Sequence, residues 1–261
     1  MRVVRVLGAG IYPQRDLTLG ALAALKKSEL VLHTSFSGDS KWLQSLGVAN
    51  SRNIGSLYKE GGIDRSNYEA MVQGILEAAS EADSVAVLIS GNPFLGATHT
   101  RRLIAVASEV SDLRVEVLPG ISSLDTMMID LRADMLERGC VVLDANRLLL
   151  FRFVLDPRLS FFIYHPSSVG NSRTDYVEPW KTNRLVLLRD YLSAQLGQER
   201  PFVALCSKSS QEEEVRMTPG KIGDLVEVIE QIDYGTSIYI PESGDLGDVD
   251  RDFLRMLLPE A

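Results

Sequence analysis

Two short segments, Ser90-Gly-Asn-Pro-Phe-Leu-Gly96 and Val117-Leu-Pro-Gly-Ile-Ser-Ser123, hold the residue types from which a small-molecule site is built. Each ends an apolar run, Val85–Ile89 in one case and Val115–Leu118 in the other, and each opens a helical pattern. Both are therefore expected to be strand-to-helix corners. Glycine lets a backbone come close to a ligand and proline fixes the shape of the loop, so backbone groups of Ser90, Gly91, Asn92, Pro93 and Leu95 can hold a small polar molecule. Ligands of open α/β sheets bind just past such strand ends. Ser122 and Ser123 stand where hydroxyls cap the free amides of a helix start. Capping accounts for one of them.

Other chemistries find less support. Gly8-Ala-Gly10 lacks the third glycine of the dinucleotide fingerprint, which argues against a nicotinamide site. His33, His99 and His165 do not have a metal-ligand spacing, and the acidic runs Glu212–Glu214 and Asp245–Asp252 lack the order of a calcium loop. No metal is expected. With 27 basic and 35 acidic residues the net charge is −8, which weakens any reading that needs an extended phosphate-binding surface. Cys140 and Cys206 stand far apart without a Cys-x-x-Cys partner, so a reducing cytoplasm suits them. No apolar run approaches the roughly 20 residues that cross a bilayer, and Met1–Leu7, with its short apolar run and the glycine turn after it, reads as a first strand rather than a signal sequence.

The elements that must position these residues alternate. Val3–Leu7, Leu30–His33, Val85–Ile89 and Val115–Leu118 read as strands; residues from about 18 to 27, 67 to 80, 98 to 109 and 123 to 131 read as helices. Asp64 and Ser66 are the candidate caps of the second. Beyond Cys140–Asp144 the pattern changes, with strands expected at Ser160–Tyr164, Phe202–Cys206, Glu214–Met217 and Ser237–Ile240, helices at about Arg184–Leu196 and Ile222–Gln231, and a long loop at Pro166–Pro179. A mainly parallel sheet followed by an α+β part with a mixed sheet is the expected architecture.

With Val6-Leu-Gly-Ala-Gly-Ile11 and Asp16-Leu-Thr-Leu-Gly-Ala-Leu22 ahead of them, the two corners resemble, in order and content, the tetrapyrrole methylase superfamily. The likeness runs on through Phe161–His165, Pro201–Cys206 and Thr236–Pro241. Within that superfamily Tyr58–Met71, Gly91–His99 and Leu118–Leu131 resemble the borosin peptide backbone N-methyltransferases. The resemblance implies an α/β, two-domain class III methyltransferase fold, with residues 1–135 as one domain, 136–261 as the other, and S-adenosylmethionine in the cleft between them, leaving as S-adenosylhomocysteine. It assigns Ser90, Gly91, Asn92, Pro93, Leu95, Ala97, Ser122, Ser123, Ala204 and Thr236 to the cofactor, and it implies a homodimer.

The same resemblance makes Tyr58, Arg65 and Tyr68 the acceptor-site residues. The family spacing is Arg-x-x-x-Tyr, whereas here it is Arg65-x-x-Tyr68, one residue shorter. An amide nitrogen is a poor nucleophile, so its methylation requires loss of a proton or a stabilised imidate-like oxygen; a tyrosinate can act as base, and a phenol or guanidinium can stabilise the oxygen. A tyrosine at helical spacing equally suits core packing, and Arg65 an exposed helix start. Because the sequence ends at Ala261, soon after Phe253–Leu258, a peptide supplied in trans is expected. A small-molecule acceptor such as a tetrapyrrole, and a scaffold that keeps the fold without turnover, are the rival readings.

Overall fold

The computed structural model describes residues 1–243 and 250–257; most of the acidic run that begins at Asp245 lies outside them. In chain order the elements are β1 (Arg2–Gly8), α1 (Pro13–Asp16), α2 (Leu19–Lys27), β2 (Leu30–His33), α3 (Ser40–Ser45), β3 (Ser51–Asn53), α4 (Asp64–Glu81), β4 (Ser84–Ile89), α5 (Thr98–Ala107), β5 (Leu113–Leu118) and α6 (Ser123–Leu131). There follow β6 (Cys140–Asp144), α7 (Ala145–Phe151), β7 (Ser160–Tyr164), α8 (Leu185–Leu196), β8 (Pro201–Cys206), β9 (Arg216–Lys221), β10 (Ser237–Ile240) and α9 (Arg251–Leu257).

The first sheet is wholly parallel, in the order β3-β2-β4-β1-β5. Its strands are covered on both sides, and the two-residue alternation of side chains sorts them. Val4, Val6, Val85, Val87 and Leu32 face the α4 and α5 side with Met71, Ile75 and Leu103. Leu7, Ala86, Leu88 and Val31 face the α2 side with Ala21, Ala24 and Leu25. From β1 the chain moves one way across the sheet to β2, and from β4 it moves the other way to β5. Connections that part in this way open a crevice at the carboxyl ends of the strands.

The second sheet, β6-β7-β10-β8-β9, is mixed: β6 and β7 are parallel and the other pairings antiparallel. Phe161, Ile163, Phe202, Ala204 and Ile238 pack on Leu148 of α7 and on Leu185, Leu188 and Leu192 of α8. Phe162, Tyr164 and Leu205 point the other way and meet Met127 of α6 and Leu95 of the first corner. The last helix of the first half thus covers the outer face of the second sheet. Each fully buried phenylalanine here contributes about 1.5–3 kcal/mol. Parallel first sheet and mixed second sheet match the expected fold class.

Several elements differ from the sequence reading. Helix α4 starts at Asp64, and its N-cap is Ile63 with no side-chain bond. Asp64 instead accepts a hydrogen bond from the Thr174 hydroxyl at 2.6 Å, so neither Asp64 nor Ser66 caps. The strand expected at Glu214–Met217 is displaced to Arg216–Lys221, where it pairs from Cys206↔Arg216 to Pro201↔Lys221; Pro219 is tolerated because this is an edge strand. Ile222–Gln231 is 3₁₀ rather than α. Ile222, Leu225 and Val228 recur every third residue and face one core, the period of a 3₁₀ turn. Helix α5 stops at Ala107. Among the described residues no helix is long and apolar enough to cross a membrane, and no cluster of metal-ligating side chains is present.

At the carboxyl edge the turns after β1, β4 and β5 touch. A Cβ added to Gly8 would lie 2.4 Å from the Gly120 nitrogen, and one added to Gly120 would lie 2.5 Å from the Gly91 oxygen. Gly8→Ala or Gly120→Ala is expected to lose ~3 kcal/mol in urea unfolding, because backbone cannot yield as a side chain does. Gly20→Ala in α2, where the added carbon meets nothing nearer than 3.8 Å, is expected to gain about 0.5–1 kcal/mol.

Candidate functional site

The first corner is fixed from both sides. The Gly91 N–H donates to the Gly10 carbonyl at 2.8 Å, and the Ala9 N–H donates to Ile89 at 2.8 Å, so the turns after β1 and β4 form one short antiparallel bridge. Gly91 and Gly96 hold φ of +70° and +74°, values that favour glycine. Asn92 closes the loop: its Oδ1 accepts from the Phe94 N–H at 2.9 Å, and its Nδ2 donates to the Gly120 carbonyl at 3.4 Å. An aspartate could make only the first of these bonds. Pro93 is buried, Ser90 is exposed, Leu95 packs on the second half and Ala97 precedes α5.

The second corner separates the two serines. Ser122 is the N-cap of α6, in a capping box with Asp125; its N–H donates to Asp125 Oδ2 at 2.7 Å. The Ser123 hydroxyl reaches out of its own half to the Tyr164 hydroxyl of β7, at 3.1 Å. Ala204 lies on β8, opposite Ile238. The buried Thr236 hydroxyl is used inside a turn, donating to Asp233 Oδ1 at 2.8 Å and accepting from the Asp233 N–H at 3.1 Å. That turn presents Tyr234.

The tyrosines come together across the two halves. Tyr58 follows a short 3₁₀ turn, and its hydroxyl lies 3.0 Å from that of Tyr234. The Tyr68 ring, on α4, is 6.0 Å from Tyr58 and 6.3 Å from His99, which it stacks upon. Phe36 and Tyr176 extend the cluster to an open edge beside Tyr234. Arg65 is not part of it. Its guanidinium points to solvent and pairs with Glu69 at 2.9 Å, and Glu69 also holds Arg102.

A clasp between the halves holds this cluster in place. The Gly61 N–H donates to the Thr174 carbonyl at 2.7 Å and the Thr174 N–H to Gly62 at 2.8 Å, with Ile63 bridging Arg173. Buried Asn67 donates to both Lys59 O and the Thr174 hydroxyl at 2.8 Å. The segment read as a long loop therefore spends the backbone bonds of Ser172, Thr174, Tyr176 and Val177 on residues 60–64. Sequence reasoning missed Phe36, Asn67, Thr174, Tyr176 and Tyr234; an Asp-x-Gly turn signal at 233–235 was present, with no sign of its distant partner.

Burial decides the protonation states. Loss of solvent raises Tyr58 and Tyr68 well above an ordinary phenol, and raises Tyr164 and Tyr234 to about 12. It lowers His99 to about 4. At neutral pH these are neutral phenols and a neutral imidazole. His99 Nε2 is buried without a partner. A depression of about 290 Å³ between α2 and β5 is lined by Arg5, Lys27, Glu116 and Leu118 and by none of the tyrosines.

The two-sheet α/β architecture is shared with known proteins. The family model for tetrapyrrole (corrin/porphyrin) methylases matches residues 3–225, and the chain belongs to that family. It is 26% identical over 243 residues to a methyltransferase/ribosomally synthesized type II borosin cyclic peptide precursor of Phlebiopsis gigantea, covering 90% of this chain and 42% of that one. It is 24% identical over 257 residues to a type I borosin precursor of Coprinopsis marcescibilis, covering 97% and 66%. The chain thus spans well under half of one of these relatives and just under two thirds of the other. Uroporphyrin-III C-methyltransferase of Thermus thermophilus, solved with S-adenosylhomocysteine, shares the fold with a TM-score of 0.63 at 18% identity, covering 96% and 98% of the two chains.

Tyr164 gives a test of the junction. Its native pKa of about 12 exceeds the ordinary value of 10.0, so between these values the unfolded chain ionises while the folded chain does not. Stability is complete below pH 10 and falls as pH rises toward 12, by roughly 2 kcal/mol from this group. Denaturant titrations from pH 9 to 12 are expected to show a shallower loss for Tyr164→Phe than for the parent.

Proposed function

We propose that the chain is an S-adenosylmethionine-dependent methyltransferase that N-methylates backbone amides of a peptide supplied in trans. The observation that carries this reading is the group of neutral phenols, Tyr58 and Tyr68 with Tyr234, gathered at His99 in the first turn of α5, which follows the first corner. The likeness to borosin precursors supports a peptide acceptor, since those proteins join a methyltransferase to a ribosomally synthesized cyclic peptide precursor.

The residues fit the cofactor on physical grounds. Aromatic faces suit a sulfonium cation, and the buried, unpartnered His99 Nε2 beside Tyr68 offers a polar contact to a bound molecule. The corners lack the lysine of a phosphate loop, as suits a cofactor without phosphate. Ser90, Gly91, Asn92, Pro93, Leu95 and Ala97 on one side, with Ser122, Ser123, Ala204 and Thr236 on the other, are the proposed cofactor residues; the cleft lies between units 1–135 and 136–261. When bound, the cofactor supplies an electrophilic methyl group.

The chain's own residues do the rest. Tyr58 and Tyr68 donate O–H bonds to the acceptor carbonyl oxygen, where charge grows as nitrogen becomes nucleophilic. Their raised pKa values keep those donors protonated. The Tyr58–Tyr234 bond fixes the direction of the first phenol, and the 59–64 clasp fixes the loop that carries it. Arg65, held by Glu69 on the outside of α4, has no part in this step. The proposal includes a homodimer in the cytoplasm; apolar side chains left open on and after α7, among them Leu150, Phe151 and Val154, support association.

Titration calorimetry of cofactor-free protein with S-adenosylmethionine and S-adenosylhomocysteine, followed by mass spectrometry of peptides encoded beside the gene, tests the reading. Binding of both with methylated peptide supports it; binding with methylation of a tetrapyrrole alone moves the acceptor, and no binding by folded protein removes the activity. The Tyr58→Phe, Tyr68→Phe double variant is expected to lose at least ~100-fold in kcat with unchanged S-adenosylhomocysteine affinity. Parent-like turnover by that variant rules out the phenol mechanism.

A further inference from the structure

His165 stands in a left-handed backbone conformation, φ +56° and ψ +40°. A non-glycine residue there stores about 1 kcal/mol of strain. The turn that follows closes on it: the Ser168 N–H and hydroxyl both donate to the His165 carbonyl at 3.1 Å. Its Nδ1 lies 2.7 Å from Asp144 Oδ2. Asp144 ends β6, and the register sets it opposite Tyr164, while its Oδ1 caps α7 through the Arg147 N–H at 2.9 Å. The carboxylate is thus anchored to a helix start before it meets the imidazole.

Burial works to raise Asp144, yet the bonds from His165 and the Arg147 N–H hold it below the usual carboxylate range. An ionised carboxylate is an acceptor only. Nδ1 therefore carries a proton, and in the neutral ring the lone pair is on Nε2. Among the described residues Nε2 has no hydrogen-bond partner, and it faces the first corner: a Cβ on Gly96 would lie 3.2 Å away. Gly96 leads through Ala97 and Thr98 to His99, on which Tyr68 stacks. Asparagine takes the left-handed conformation several times more often than most residues, so the turn itself has no need of an imidazole.

We propose that His165 takes the proton of the acceptor amide nitrogen, with Asp144 as the residue that positions it. This rests on the methyltransferase reading above. The nitrogen forms its bond to the methyl carbon, the carbon–sulfur bond breaks with its electron pair going to sulfur, and the N–H proton passes to Nε2. The positive charge lost from sulfur reappears on an imidazolium already paired with Asp144, so the net charge of the site does not change. An N-methylated amide that still holds its proton is a strong acid, and an imidazole suffices to receive it. The half-buried ring then returns the proton to water. Neutral phenols at the carbonyl oxygen and a base at the nitrogen divide the work.

His165→Asn keeps the backbone conformation and removes the base. With the peptide encoded beside the gene as acceptor, it is expected to lower kcat at least ~100-fold, with KM and S-adenosylhomocysteine affinity within about threefold and no loss in melting temperature. Asp144→Asn is expected to lower kcat at least ~10-fold and to move the proton from Nδ1 to Nε2 in nitrogen NMR of the imidazole. Should His165→Asn fail to fold, Asp144→Asn carries the test. Parent-like kcat in the folded variants, or an NMR spectrum of the parent with the proton on Nε2, overturns the assignment. A parent that binds S-adenosylhomocysteine but leaves the peptide unmethylated overturns the peptide reading and the role of His165 with it.

Discussion

Three glycine backbones in contact set the frame on which everything else hangs. Gly8, Gly91 and Gly120 end or follow β1, β4 and β5, and no side chain fits between them. Their contact aligns three turns at one sheet edge and directs α5 and α6 away from it. Asn92 then ties the first corner to the second through the Gly120 carbonyl. A crevice with this much fixed backbone needs little rearrangement to receive a ligand, which lowers the entropic cost of binding.

The second half is joined to that frame by contacts of different kinds. An apolar cluster of Leu95, Met127, Phe162 and Leu205 supplies burial without direction. The Ser123–Tyr164 bond supplies direction at the second corner, and the paired backbone of residues 61–64 and 172–174 supplies it at the far side. The hydroxyl bond between Tyr58 and Tyr234 joins the two halves directly. Removing solvent from the phenols is what raises their pKa values, so the packing that joins the halves also sets the acid–base state of the site.

Much of this was legible from sequence because it is local. Short apolar runs ended by Gly-x-Pro or Pro-Gly mark parallel strands and their corners, and Ser160–Tyr164 and Ser237–Ile240 were read at the bounds found. Tyr58 and Tyr68 were named and do meet. Contacts across the halves left no periodic trace: Tyr234 sits 176 residues from Tyr58, and Asn67 and Thr174 look like ordinary polar surface until the clasp buries them. Arg65, three positions before Tyr68, turns away from the phenols because its side chain finds Glu69 one turn on. The left-handed turn at His165 precedes a proline, a position where extended backbone is the ordinary expectation.

The charge state of the site argues for the class of molecule it receives. Burial drives Tyr58, Tyr68, Tyr164 and Tyr234 toward the protonated form and His99 toward the neutral one. Asp144 is held ionised beside His165, while Arg65 and Arg102 are engaged by Glu69 on the outer side of α4. A phosphate would meet neutral phenols and the Asp144 carboxylate, with Arg65 and Arg102 already paired. A monocation would meet aromatic faces and that same carboxylate, an arrangement that attracts positive charge. On the proposed reading, transfer of a methyl group from such a cation moves the charge without creating any, so a site of this kind needs no new counter-ion.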